Sequence, residues 1–384
     1  MNLADTSGAQ DAEACVEWSL MTPQPPTTGT ALPRLADLTT FRVGGPAAQF
    51  VDAASEEELV QTIAAADRAG EPLLVLGGGS NMLVADEGFA GVVVRDARRG
   101  ITVESQDSCG GAAVRVTAGQ PWDDVVLRAV AEGWRGIEAL SGIPGSTGAT
   151  PVQNVGAYGQ EVAEVISTVR TWDRAAGKVR TLARSELGFG YRSSVLKDSF
   201  GDDGTGTSWR PTPRYVVLDV GFQFALADTS APVRYPELAS ALGVSLGERA
   251  ASAEVRDAVL SLRQGKGMVL DEADHDTWSA GSFFTNPVLS ADRAARLPAD
   301  APRFPAGEQV KTSAAWLISR AGFAKGYGSP GPAALSTKHV LALTNTGGAT
   351  AAELLALARE VRDGVRNRFD IVLAPEPVLV GTSL

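Results

Sequence analysis

Histidine and cysteine are scarce. The 384 residues include two histidines, His275 and His339, and two cysteines, Cys15 and Cys109. That supply excludes a multi-histidine metal centre and a disulfide framework. Long apolar runs are missing too: the longest, such as Pro72 to Leu76, fall far short of the roughly 20 residues that cross a bilayer, so no membrane insertion is expected. Cations are outnumbered, 34 Lys and Arg against 45 Asp and Glu, for a net charge of -11. That balance disfavours nucleic acid or an anionic membrane as the main partner. A phosphate-bearing substrate must then be met by a few local cations. The first 33 residues hold no Lys or Arg at all. A secretory signal needs a basic start and a transit peptide needs arginine, so residues 1–33 read as a disordered cytosolic tail, with Met1 or Met21 as the start.

What is present is the composition of a soluble globular protein, 44% apolar and 21% charged, long enough for two or three domains. The chain is organised around Ser141 to Gly159, SGIPGSTGATPVQNVGAYG, an uncharged run whose five glycines are broken by Pro144 and Pro151. Glycine loses the most backbone entropy on ordering and proline lacks a donor, which excludes a helix or a central strand. Such a run can bring backbone N–H groups close to a large, flat, anionic ligand; the alternative is a flexible linker. A second glycine segment, Gly77-Gly78-Gly79-Ser80-Asn81, follows an apolar strand and suits a phosphate-cradling nest. It is not the dinucleotide fingerprint, because Met82 stands where a glycine is required. Gly326, Gly328 and Gly331 fit that fingerprint, but Pro330 and Pro332 interrupt it.

Taken in order, LTTFRVGGPAAQFVDA predicts two short strands around Gly44-Gly45-Pro46. Ser55 to Glu58 is a capping box opening a helix with Leu59 and Ile63, and Val60 and Ala64, on one face, stopped by Gly70. Val92 to Val94, Ala113 to Thr117 and Val169 to Leu182 read as strands, the last folded on a DRAAGK turn. Trp122 to Ala131 reads as a helix, and 201–213 as a polar loop. Val216, Leu218, Val220, Phe222 and Phe224 alternate as a half-buried strand. From Arg234 the texture is helical, clearest over Glu248 to Gly265. A capping box at Thr350 and Glu353 opens a last helix with Leu354, Leu357, Val361 and Val365 inward, before a final strand reaching Gly381. The sum is an α+β protein in several lobes.

Five segments occur in one order from about Leu35 to Gly381: LGGGSNML, IPGSTGATPVQNVGAYGQE, YRSSVLK, AGSFFTNP and PEPVLVG. Together they resemble the UDP-N-acetylenolpyruvoylglucosamine reductases of peptidoglycan synthesis. The resemblance implies a cytoplasmic, monomeric flavoprotein with non-covalent FAD in a two-lobed fold of the vanillyl-alcohol-oxidase type, plus a C-terminal α+β substrate domain. Its expected divisions are 34–98 and 99–228 for the FAD lobes, the latter with the terminal strand 371–384, and 229–370 for the substrate domain. Such enzymes take hydride from NADPH and reduce the enolpyruvyl ether of a UDP-sugar to the lactyl ether.

By the same resemblance FAD is held by Leu76, Gly77, Gly78, Gly79, Ser80, Asn81, Met82 and Leu83. A second set is Pro144, Gly145, Gly148, Ala149, Thr150, Gln153, Asn154, Gly156, Ala157, Tyr158 and Gly159. Arg192 matches the arginine that binds the substrate carboxylate, a task suited to a bidentate guanidinium; its alternative is a surface arginine after a turn. Ser282 matches the proton donor, though read alone it is a turn residue. Glu376 matches a glutamate that assists protonation or stabilises the enol, which needs a raised pKa; its alternative is an edge-strand carboxylate in water, and Pro377 leaves its placement open. Tyr235, Arg263, Lys266, Asn286 and His339 match substrate contacts, although His339 in an apolar strand also suits a satisfied core residue. His275 and the acidic run Asp271, Glu272, Asp274 and Asp276 are assigned to a solvent-facing loop, and Lys311 and Trp316 to helix structure. Two rival readings are a flavin enzyme oxidising a small alcohol and a non-catalytic UDP-sugar binding module. Many of the former tether flavin through histidine, and neither glycine segment contains one.

Overall fold

In the computed structural model residues 32–201 and 207–384 are described. The expected tail lies outside them but for its last two residues, as does part of the loop 201–213. The first lobe is a three-stranded parallel sheet in which Phe89–Asp96 lies between Ala47–Ala53 and Leu73–Leu76. Parallel strands bury both faces and therefore read as unbroken apolar runs, as LLVL and VVV do here. The helix Glu56–Ala69 packs Leu59, Ile63 and Ala66 on this sheet. Ser55 accepts from the Glu58 amide, the Glu58 carboxylate accepts from Ala54 N, and left-handed Gly70 ends the helix. Only one of the two predicted strands around Gly44-Gly45 forms. Leu35–Leu38 is a 3-10 turn, and Phe41 and Val43 leave the lobe to plug the C-terminal core.

The second lobe is an antiparallel sheet in the order Lys178–Ala183, Ile166–Asp173, Tyr215–Leu226, Gly111–Thr117, Ile101–Asp107. The hairpin over Val169 to Leu182 and the helix Trp122–Ala131 form where expected. The strand Ile101–Asp107 escaped the pattern because nearly all of it is exposed, with polar side chains on both faces. The expected half-buried strand at Val216 is instead buried on both faces over most of Tyr215–Leu226. Val216 and Leu218 enter the core beneath the first lobe, while Val217, Val220, Phe222 and Phe224 enter the core of the second. One strand thus cements two lobes.

The remainder holds the helices Pro236–Leu242 and Ser252–Gly265, the latter starting four residues after the predicted Glu248. A small sheet of Val288–Leu289, Gln309–Lys311 and Phe304–Ala306 follows, with the hairpin Ala333–Leu335 and Leu343–Asn345. Ala351–Phe369 opens on the predicted capping box and buries Leu354, Leu357, Val361 and Val365. Trp316 lies in the helix Ala314–Arg320, but Lys311 is in a strand rather than a helix. The terminal strand Val378–Val380 corrects the expected division. It pairs in parallel with Met82–Val84 and so completes the first lobe, not the second. The physical reason is that Val380 is wholly buried among Leu35, Leu74, Leu76 and Val84. Among the described residues no helix is long and apolar enough to cross a membrane.

Candidate active site

The two glycine segments meet backbone to backbone. A Cβ on Gly78 would stand 2.6 Å from Gly145 Cα, and one on Gly79 1.8 Å from Leu38 O. A side chain at Gly78 would push the two segments apart, and one at Gly79 would push the first loop off Leu38 and Thr39. Ser80 Oγ donates to Pro144 O at 3.1 Å, tying the loops at the edge of a cavity of about 950 Å³. Among the described residues the backbone N–H groups of Gly77 to Asn81 donate to no protein acceptor. All but the exposed Gly78 are buried or half-buried, and such donors are seldom left unpaired, so this row is a ready anion site. The second segment is pinned from behind. Thr147 N and Gly148 N donate to Gln120 O and Ala118 O, and Gly142 N donates to Asp123 Oδ1 at 2.6 Å. Arg256 clamps that carboxylate at 2.8 and 2.7 Å. Burial alone would raise the Asp123 pKa, but Arg256 and the Gly142 amide hold it below the ordinary value.

Arg192, Ser282 and Glu376 all line this cavity with the glycine segments. Ser282 is paired with Ala342, and Phe283 N donates to Leu341 O. On the other side Glu376 N donates to Phe283 O at 2.8 Å, which lays the 374–376 segment along the Ser282 segment. Pro377 costs no ladder bond here: the donors on either side of it, Glu376 N and Val378 N, serve Phe283 O and Asn81 O. Glu376 is therefore held between the serine segment and the first glycine loop. Its Oε1 lies 3.0 Å from Arg192 Nε, off the N–H axis, so the contact is an ion pair and Nε keeps no hydrogen-bond acceptor. Burial raises the Glu376 pKa while Arg192 and Lys197 oppose it.

Of the predicted cofactor residues, Leu76 to Met82, Pro144, Gly148, Ala149, Thr150, Gln153 and Gly156 line the cavity. Leu83 turns into the C-terminal core instead. Gly145 serves as the partner surface of Gly78. Asn154 is a structural hub, bonded to Glu161, Gly190 O and Ala163 N. Ala157 pairs with Gln160 in a hairpin, and Gly159, at φ +83°, abuts Arg234. Tyr158 stands apart from the cavity lining, edge-on to Tyr235 with ring centroids 5.4 Å apart, under the Lys266 ammonium at 5.3 Å.

The substrate candidates divide. Tyr235 and Lys266 gather around Tyr158, with Lys266 held by Glu237. Arg263 lines the cavity, 8% exposed, donating to Met268 O while its Nε has no acceptor. Burial lowers its pKa to about 10, so it remains a cation at neutral pH. Burial, reinforced by Lys266 and Lys325, lowers His339 to about 4 and leaves it neutral. Asn286 is elsewhere: its Oδ1 accepts from Ala314 N, and it lines a second cavity of about 830 Å³. That cavity shares Arg192 and Lys197 with the first and adds Arg293 and Arg366. Lys311 caps Tyr191 there, its ammonium 4.2 Å from the ring centroid. Neither Lys197 nor Lys311 was given a role by the sequence, although Lys197 closes the segment YRSSVLK. The acidic run is less free than expected, since Asp274 pairs with Lys338 and Asp276 accepts from Thr337; His275 is exposed, as assigned.

The sequence is 55% identical over 361 residues to the UDP-N-acetylenolpyruvoylglucosamine reductase of Thermobifida fusca, covering 91% of this chain and 97% of that protein. The chain belongs to this family. The reductase of that name from Cutibacterium acnes is 54% identical over 353 residues, 91% of this chain and 90% of its own. Residues 272–380 match the C-terminal domain of UDP-N-acetylenolpyruvoylglucosamine reductase and residues 47–183 an FAD binding domain. The crystal structure of the Thermus caldophilus UDP-N-acetylenolpyruvylglucosamine reductase is similar, with a TM-score of 0.58 at 26% identity, covering 91% of this chain and 97% of that one. Like the family, the chain is an FAD-dependent oxidoreductase of mixed α and β structure. The residues present fit that cofactor. Gly77 to Asn81, whose backbone N–H groups have no protein acceptor, line a cavity whose charged side chains are mostly cationic, with Arg192, Lys197, Arg210, Arg263 and Arg362 against Asp96 and Glu376. A dinucleotide pyrophosphate needs such a lining.

Proposed function

We propose that this reductase converts UDP-N-acetylglucosamine enolpyruvate to UDP-N-acetylmuramate, with NADPH as the reductant. The observation that carries the reading is the convergence of Arg192, Glu376 and Ser282 on the cavity floored by both glycine segments. FAD, when bound, supplies the hydride that reaches the vinyl methylene. The chain's own groups do the rest. Hydride at the methylene leaves negative charge on the adjacent carbon and its carboxylate, and Arg192 faces that charge as a planar bidentate cation. Ser282 gives its proton to the same carbon, so the double bond is replaced by two C–H bonds. A substrate carboxylate on Arg192 also draws the guanidinium away from Glu376. That removes the larger of the two charges opposing burial, leaving Lys197, and so favours the protonated carboxyl as a donor for the enol or the serine oxygen. Lys266 and Arg263 are proposed to meet the UDP portion, with Tyr235 as a cover, whereas Asn286, in the second cavity and bonded to Ala314 N, stays outside this contact. His339, neutral, contributes shape.

The test separates the half-reactions. Ser282→Ala is expected to let NADPH reduce the flavin at the normal rate while reoxidation by the enolpyruvyl ether is lost. Normal reoxidation in this variant would remove Ser282 from the role.

A further inference from the structure

We infer that Lys197 is a positioning residue, one that holds Arg192 and Glu376 in their working geometry without touching substrate. The inference rests on the reaction proposed above. Arg192 sits in a tight turn closed by mutual bonds between Gly190 and Ser193, and its φ of +52° is left-handed. For a residue with a Cβ that conformation costs on the order of 1–2 kcal/mol and persists only where the surroundings enforce it. Beside those backbone bonds, the contact on Arg192 itself is Lys197, whose ammonium donates to Arg192 O at 2.9 Å. It also reaches Gln153 Oε1 at 3.4 Å, and Gln153 Nε2 lies 3.5 Å from Glu376 Oε1. With the Arg192 to Glu376 ion pair these contacts close a ring of four residues, which Arg192 joins through its carbonyl on one side and its guanidinium on the other.

Lys197 is itself placed by a short helix, Val195–Asp198. Ser194 caps that helix by accepting from Lys197 N, and donates its hydroxyl proton to Val152 O in the second glycine segment. The lysine is thus aimed from a helix tied to the loop that floors the cavity. Glu376, Arg192, Asp198 and Arg210 are the charged groups facing it, and its hydrogen bonds go to the Arg192 carbonyl and the Gln153 amide. Because a cation that only meets substrate would not need to bond a backbone carbonyl, the geometry favours action through Arg192.

The test is a mutant cycle on the flavin-loaded enzyme with two readouts, substrate-driven flavin reoxidation and calorimetric binding of UDP-N-acetylmuramate. Lys197→Met is expected to slow reoxidation by about 10- to 100-fold and to weaken product binding. Lys197→Arg, which keeps a donor, is expected to restore most of the loss. In an Arg192→Ala background, Lys197→Met should change either readout by less than about 3-fold, because residues acting through one another are not additive. A full multiplicative loss in that background overturns the inference, as does an unaffected Lys197→Met. If Lys197→Met loses flavin, Lys197→Gln is put through the same cycle. A wild-type enzyme that the enolpyruvyl ether does not reoxidise would instead contradict the parent reading.

Discussion

Glu376 shows how far one residue can be read. Its segment stood out in the sequence, but Pro377 left its position open; only the fold reveals that donors on either side of the proline bond different neighbours. Ser282 was singled out by motif alone, since a serine among glycine and phenylalanine has no chemical signature of its own; the structure adds that it lines the cavity with Arg192 and Glu376. Leu83, Asn154, Ala157 and Gly159 lie in the two glycine segments but outside the cavity lining, because a loop along a cavity turns only some of its residues inward. Lys197 went unassigned since nothing in the spacing shows a lysine reaching a backbone carbonyl five residues back. Glu376 also carries a pH prediction. Its pKa is raised by burial against the pull of Arg192 and Lys197, and the proposed role needs the protonated form. Reoxidation by substrate should therefore hold at low pH and fall as pH rises through that pKa. Glu376→Gln keeps a neutral donor and should flatten this limb while lowering the rate about 10- to 100-fold. A pH profile that keeps the limb in the variant assigns it to another group.

Among the elements, the helices were the most legible, because caps and apolar stripes are local signals. Ser55, Gly70, Thr350 and Glu353 mark ends that the structure reproduces. Strands were read less well: alternation marked Tyr215–Leu226 but implied one buried face where most of the strand is buried on both, and exposure left no alternation in Ile101–Asp107. The helix Trp122–Ala131 does more than pack: through Asp123 it anchors Gly142 and is clamped by Arg256 from Ser252–Gly265. Asp123→Ala should cost about 1–3 kcal/mol of stability, visible as a lower denaturation midpoint, and should weaken flavin retention measured by dialysis. The sign of its pH dependence follows from a folded pKa below the unfolded one. The stabilisation is present above the ordinary aspartate range and is lost as pH falls through the folded value. A variant as stable as wild type at neutral pH would deny the anchor.

At the scale of the molecule, the ends of the described chain meet. Val378–Val380 completes the lobe begun by Leu35, so the glycine loop after Leu76 is braced by residues some 300 positions away in sequence. Such long-range pairing leaves no local trace, which is why the terminal strand was expected in the wrong lobe. Val380→Ala, at a site with no exposure, should cost about 2 kcal/mol and show as a lower urea midpoint. The central claim concerns all lobes together: a flavin held by the first two, emptied by a substrate that the third helps to bind. The most direct measurement is an anaerobic two-step spectrum of the flavin-loaded protein, with NADPH added first and UDP-N-acetylglucosamine enolpyruvate second. The account predicts that the yellow absorbance bleaches with NADPH and returns with the enolpyruvyl ether. A flavin that bleaches and stays bleached after the second addition would contradict it.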